Sequence, residues 1–398
     1  MTGQRAIVVG GGAWGLPAAL ELQIRGWSVT LVERFEPGGP SASNGGSSRL
    51  WRLADTQPWR ARSLADTVPA MERLGERLGE PVFRCTGALW RDDLSLPAVA
   101  ESLRSIGHPV VRVEADRVGE AFSGLRPDGR AALWVEQAGV VHADRLLQGA
   151  LRAFLAAGGD YRPGTRAAAI DPGSGSGTAR VGLADGTALE ADQVLVAAGP
   201  GTPELLSGPG DAPGLGLTLP LVPYIEQVVY VGDPGAEPPA PDLPGLIDCA
   251  SGEEAGVYAM PNGTAGYKIG LDLPLRPLEG GTLGDDLDRS VVSDRTELIR
   301  ARVERDLTAI VPRVLAAQVC TWTDSGDGDF VVGRTHPSVV LACGDSGEGF
   351  KYAAFMGEYL ADLVEGGPGD AEFQTHWDPR RFGDSPVPSG RISAIGRH

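Results

Sequence analysis

Three glycines and one acid carry the most specific chemistry in the chain. Gly10, Gly12 and Gly15 fall in a G-x-G-x-x-G spacing, and Glu33 follows about twenty residues on. A dinucleotide site needs that order. The first glycine allows a tight turn, the second lets backbone approach a pyrophosphate, and the third lets helix and strand pack closely. Free N–H groups at the helix start then face the phosphates, while the carboxylate accepts hydrogen bonds from ribose hydroxyls. Two cations stand out next. Lys268 and Lys351 are the two lysines of a chain whose other Lys/Arg positions are all arginine. A lysine kept against that drift points to a compact ammonium or a tunable pKa, which a guanidinium does not supply. Arg49 and Arg52 close a glycine- and serine-rich stretch, Pro37 to Ser48, and share a face if a helix begins there.

The apolar pattern says which elements hold these residues. Ile7-Val8-Val9 reads as a buried parallel strand, followed by a helix through Arg25, a Gly26 stop and a second strand, Val29 to Val32. Pro17 falls in the first helical turn, where a missing N–H costs little. Leu64 to Leu78 reads as an amphipathic helix and Gly87 to Trp90 as a strand; Gly139 to Asp144 leads into a helix from Arg145 to Ala157. Thr165 to Ile170 and Ala179 to Leu183 pair across a GSGSGT tip, and Asp192 to Ala198 is another buried strand. That strand returns to the nucleotide unit after a long excursion, so the unit is discontinuous. Tyr224 to Val231, Val257 to Met260 and Gly266 to Gly270 read as antiparallel strands, and Leu298 to Ile310 as a helix stopping before Pro312. Val339 to Ala342, the turn Gly344 to Lys351 and a helix to Leu363 repeat the strand, glycine turn, helix order; residues from about Pro379 read as extended. The expected fold is α/β plus α+β. A Rossmann-like unit takes residues 1–85, 139–217 and 319–398, and a unit on an antiparallel sheet takes 86–138 and 218–318.

Composition sets the limits. With 398 residues, 42% of them apolar, the chain fills two or three domains' worth of core. A net charge of -17 argues against nucleic acid or an anionic membrane surface as partner. No apolar run reaches bilayer length, and no basic, cleavable leader precedes the first strand. Cys85, Cys249, Cys320 and Cys343 are scattered and fit neither a disulfide framework nor a metal site. A soluble cytoplasmic protein, monomeric or a small homo-oligomer, is the expectation.

Six stretches in order, GGGAWG with Glu33, GGSSRLWR, VLVAAGP, VYAMPNGTAGYKIG, VCTWTDSGDGDFVVG and GDSGEGFKYA, resemble the D-amino-acid-oxidase-like flavoproteins. Within them the chain is similar to the monomeric sarcosine oxidase family over nearly its whole length. The resemblance implies FAD, with Gly10, Gly12, Gly15 and Glu33 on the ADP half. Further cofactor contacts are implied at Ala13, Trp14, Arg34, Ser43, Ser48, Ala198 and Gly199. The backbone near Thr165-Arg166-Ala167 would meet the adenine. Gly347, Gly349, Phe350 and Lys351 would lie by the flavin pyrimidine. Cys320 matches the cysteine that forms a thioether with the flavin, for which a thiolate is the nucleophile.

Arg49 and Arg52 match arginines on the flavin face and on the substrate carboxylate, and Lys351 matches the lysine sharing that carboxylate. Tyr258 matches a tyrosine capping the pocket, although a bare aromatic on a strand is equally a core residue. Lys268 matches the lysine that promotes reaction with O₂, where a fixed positive charge favours superoxide formation. Three positions depart from the family. Asp272 stands where a substrate-site histidine is expected, Trp322 replaces a smaller aromatic, and Asp329 replaces a basic or polar residue. The implied activity is oxidation of the C–N bond of a carboxylate-bearing, secondary or N-substituted amino acid, with O₂ reduced to H₂O₂. A flavin dehydrogenase passing electrons to a carrier is the alternative. A nicotinamide reductase lacks its Tyr-x-x-x-Lys pattern, and a non-catalytic FAD protein would be coloured but not bleached by any amine.

Overall fold

The structure is a computed structural model and describes residues 3–383, apart from 40, 41, 93, 174–176, 208–213, 250–253, 282 and 285. Its organising layer is a six-stranded sheet in the order Val331–His336, Val339–Cys343, Gln193–Val196, Arg5–Val9, Ser28–Val32, Asp160–Arg162. All neighbours are parallel except the first pair. Such strands are buried on both faces, which is why IVV, VLV and VVLAC are continuous apolar runs. Gly15–Ile24 covers this sheet and packs against Ala353–Val364. Pro17 is the third residue of its helix, and Gly357 leaves room for it: a Cβ at 357 would come within 2.8 Å of Pro17 Cβ.

A nine-stranded, mostly antiparallel sheet faces the first layer. One edge of it is the long pair Val222–Val231 and Val314–Asp324, continued inward by Tyr267–Leu271 and Val257–Pro261. The division at residue 319 falls inside Val314–Asp324, which pairs along its length with Val222–Val231. A three-stranded sheet, Ser48–Arg52, Ala138–His142 and Phe83–Cys85, runs between the layers.

Three expectations are corrected. Arg49 and Arg52 do not open a helix; Ser48–Arg52 is a strand with buried Leu50 and Trp51, registered on Ala138–His142. Pairing with a distant strand decides a five-residue stretch whose local pattern is ambiguous. The helix placed at Leu298 to Ile310 is Ser293–Asp306. It ends early because Leu307 leaves it to bridge Leu125. Pro379–Phe382 is a turn of 3₁₀ helix rather than extended chain. The remaining tail from 384, and residues 174–176 of the GSGSGT tip, lie outside the described residues. Among the described residues no helix is long and apolar enough to cross a membrane.

Candidate active site

One cavity runs between the two layers, from the Gly10 turn and Glu33 to Cys320, Lys268 and Lys351. It offers about 220 Å³ to the centres of water-sized molecules, where a single ordered water needs roughly 10–15 Å³. The parallel-sheet end is built by glycine. Gly10 has φ of 103°, and a Cβ there would come 2.3 Å from Ala197 O. A Cβ at Gly15 would lie 1.9 Å from Gly10 O, so only glycine lets this helix start against this turn. Glu33 is fixed by backbone: its Oε2 accepts from Gly11 N–H and its Oε1 from Phe35 N–H, both at 2.6 Å. Burial raises its pKa, opposed by those N–H groups.

The antiparallel sheet supplies the opposite wall through simple alternation. Lys268 and Gly270 are two apart in Tyr267–Leu271 and share one face, and Asp272, just past the end of that strand, also lines the cavity. Tyr258 pairs with Gly270, and its ring lies across that glycine; a Cβ there would come 2.3 Å from the ring. On the neighbouring pair Glu226 stands opposite Cys320, and Tyr224 stacks on Trp322 with centroids 5.1 Å apart. Lys268 is 3% exposed and donates through Nζ to Ser48 O at 2.7 Å. Burial, and then the Arg49 charge, push its pKa well below the ordinary lysine value. Arg49 donates to Ser48 O at 2.8 Å and Gly45 O at 2.7 Å, and lies 5.3 Å over the Phe350 ring.

The residues from Arg5 to residue 363 match the protein family described as FAD dependent oxidoreductase. The chain belongs to this DAO family. It is 27% identical over 396 residues to a monomeric sarcosine oxidase of Streptomyces avermitilis, covering 96% of this chain and 98% of that protein. It is 24% identical to the human peroxisomal sarcosine oxidase, covering 90% and 91%. Among solved structures, NikD, an amino acid oxidase essential for nikkomycin biosynthesis, superposes with a TM-score of 0.81 at 19% identity, covering 97% of this chain and all of that one. The L-proline dehydrogenase of P. horikoshii gives 0.78 at 20%, covering 96% and 98%.

A DAO-family chain uses FAD, and the cradle left open at Gly10 and Gly12, beside a backbone-fixed Glu33, suits its ADP half. Of the residues expected to meet cofactor, Ala13, Trp14, Ser43, Ala198, Gly199, Gly347, Gly349 and Phe350 line the cavity. Trp14 spends its N–H on Gly349 O at 2.7 Å, tying the two glycine turns together. Gly15, Arg34, Ser48 and Ala167 are not in the wall. Arg34 turns onto Gly284 O at 2.7 Å, and Ala167 begins Ala167–Asp171, a strand of a second three-stranded sheet with Ala179–Leu183 and Ala188–Ala191. Asp329 also lies outside this wall, paired with Arg60.

Cys320 lines the cavity; burial raises its thiol pKa, and the Arg49 and Lys268 charges oppose that rise. Arg52 is fully buried and stacks 4.5 Å from the Trp90 ring. Sequence reasoning missed two buried acids of the cavity wall. Glu348 Oε1 accepts from Lys351 Nζ at 2.6 Å and from Arg52 at 3.2 Å. Glu226 is buried in the wall with its pKa raised well above the ordinary value by burial, the nearby Asp272 charge adding to this. Both carried a signal. Glu226 is a lone acid in an apolar strand, and Glu348 stands one helical turn before a scarce lysine.

Lys351 is pulled down to about 8 by burial and by the Arg52 charge, with Glu348 opposing. A lysine binds a carboxylate while protonated, so affinity is full below that pKa and is lost as pH rises through it. The dissociation constant of benzoate, which has no titrating amine, is therefore expected to be flat below pH of about 8 and to climb above it, up to about tenfold per pH unit. A calorimetric titration series across pH checks this.

Proposed function

We propose that this enzyme oxidises the C–N bond of a carboxylate-bearing amino acid, secondary or N-substituted at nitrogen, to an imine that water hydrolyses, with O₂ taken to H₂O₂. FAD, when bound, supplies the hydride acceptor. Arg52 and Lys351 hold the substrate carboxylate, and Tyr258 covers the pocket. Asp272 and Trp322 shape the end away from the clamp. Arg49 and Lys268 supply positive charge beside the reacting centre, which also favours the unprotonated amine, so no strong base is required.

One observation carries this reading: a carboxylate, that of Glu348, is bonded by both Arg52 and Lys351 at the cavity wall. The pair therefore has the spacing a carboxylate needs. Relatives named for sarcosine, glycine and N-methyl-L-tryptophan support an amino-acid substrate. Asp272 in place of a histidine favours a substrate other than sarcosine. Four free cysteines suit a cytoplasmic setting. Oxygen uptake with a series of N-substituted and cyclic amino acids tests the proposal; faster turnover of sarcosine than of every larger member would refute the substrate assignment.

Covalent attachment through Cys320 is part of the proposal. Acid-denatured protein is expected to keep its yellow colour on the polypeptide, and Cys320→Ala to release it; the mass of the intact chain reads the difference. The dehydrogenase alternative draws on one feature, the burial that lowers the Lys268 pKa. A neutral Lys268 would leave O₂ unassisted, and reduction of an artificial acceptor without oxygen uptake would favour it.

A further inference from the structure

Glu348 borders two cavities. One is the large cavity already described; the other, of about 10 Å³, is walled by Trp59, Arg60, Asp329 and Tyr352 among others. On the first side its carboxylate is bonded by Lys351 and Arg52. On the second it faces Arg60, a buried guanidinium whose charge is held by Asp55, Asp329 and Glu348. Asp55 also stands 3.8 Å from Arg52. The two clamp cations are thus already matched by two buried carboxylates.

A substrate carboxylate entering this clamp meets like charge. Two carboxylates on one pair of cations repel, and a buried charge stripped of its partner is costly. Arg60 resolves both difficulties, because it gives Glu348 a second guanidinium across a cavity with space for about one water. We propose that Glu348 is a resident carboxylate exchanged on binding. The incoming α-carboxylate takes Arg52 and Lys351, and Glu348 turns into the small cavity onto Arg60. The exchange rests on the carboxylate reading of the clamp. It makes Glu348 a specificity-determining residue: an anion can displace it, whereas a neutral amide of the same shape cannot.

Calorimetric titration of the FAD-loaded protein with benzoate and benzamide tests this without turnover. Glu348→Gln, nearly isosteric, is expected to bind benzoate at least tenfold more tightly than the unsubstituted chain, with benzamide changed less than threefold. Arg60→Met is expected to weaken benzoate at least fivefold while Glu348 is present, and to leave it unchanged in the Glu348→Gln background. Benzoate affinity unaltered or reduced by Glu348→Gln overturns the exchange and leaves the clamp assignment standing. Equal loss from Arg60→Met in both backgrounds overturns it too. If benzoate binds to none of these proteins, the clamp assignment falls along with the exchange.

Discussion

Replacing Lys268 with methionine is expected to lower the rate of reoxidation by O₂ about 10²–10³-fold, the size of effect seen when one preorganised electrostatic donor is removed. The substitution keeps an unbranched side chain in the same strand position, between Tyr230 and Met260 of the neighbouring strands. What disappears is the ammonium that Ser48 O holds at 2.7 Å in the cavity wall. Reduction of the bound flavin by substrate, followed anaerobically in a stopped-flow instrument, should fall far less. An equal loss in both half-reactions would remove Lys268 from its oxygen role. The sign of the pH effect follows from the same burial. The charged form of Lys268 is disfavoured, so oxygen reactivity should decline as pH rises, and it should do so below the ordinary lysine range.

Gly15→Ala is expected to abolish FAD retention. Its methyl would sit 1.9 Å from Gly10 O, a backbone atom in the turn proposed to cradle the nucleotide, and 3.2 Å from Ala197 Cβ. No rotamer relieves a backbone clash. Either the helix Gly15–Ile24 shifts off the sheet or the turn opens, at a cost of about 3 kcal/mol or more. The purified variant should be colourless, with a Tm several degrees below that of the unsubstituted protein. Yellow protein with full flavin content would show that the turn tolerates what its geometry forbids.

Different parts of the site were legible in the sequence to different degrees, for physical reasons. The Gly10–Gly15 turn is local in one contact, that of Gly15 with Gly10 O, which lies within six residues and shows in the spacing of the glycines. Lys268 was also legible, as one of only two lysines in the chain, whereas Asp272 was picked out through the family resemblance alone. Glu226 showed only as a lone acid in an apolar strand, since its place opposite Cys320 is a register between distant segments that no local pattern encodes. Arg49 and Arg52 show the same limit. Their spacing of three suggested a common helical face, and a strand around residue 140 decided otherwise. Glu348 required knowing that Arg52, far away in sequence, would share its carboxylate with Lys351.

The scarcity of lysine acquires a sharper meaning from the structure. Both lysines are buried, 3% and 6% exposed, and both line the same cavity. The outer skin of the folded chain therefore carries its side-chain positive charge as guanidinium, with histidine the one exception. Lysine acylation, reductive alkylation by aldehydes and isopeptide conjugation all need a reachable primary amine. On the native fold such chemistry meets, among side chains, only the two buried amines proposed for substrate binding and oxygen reactivity.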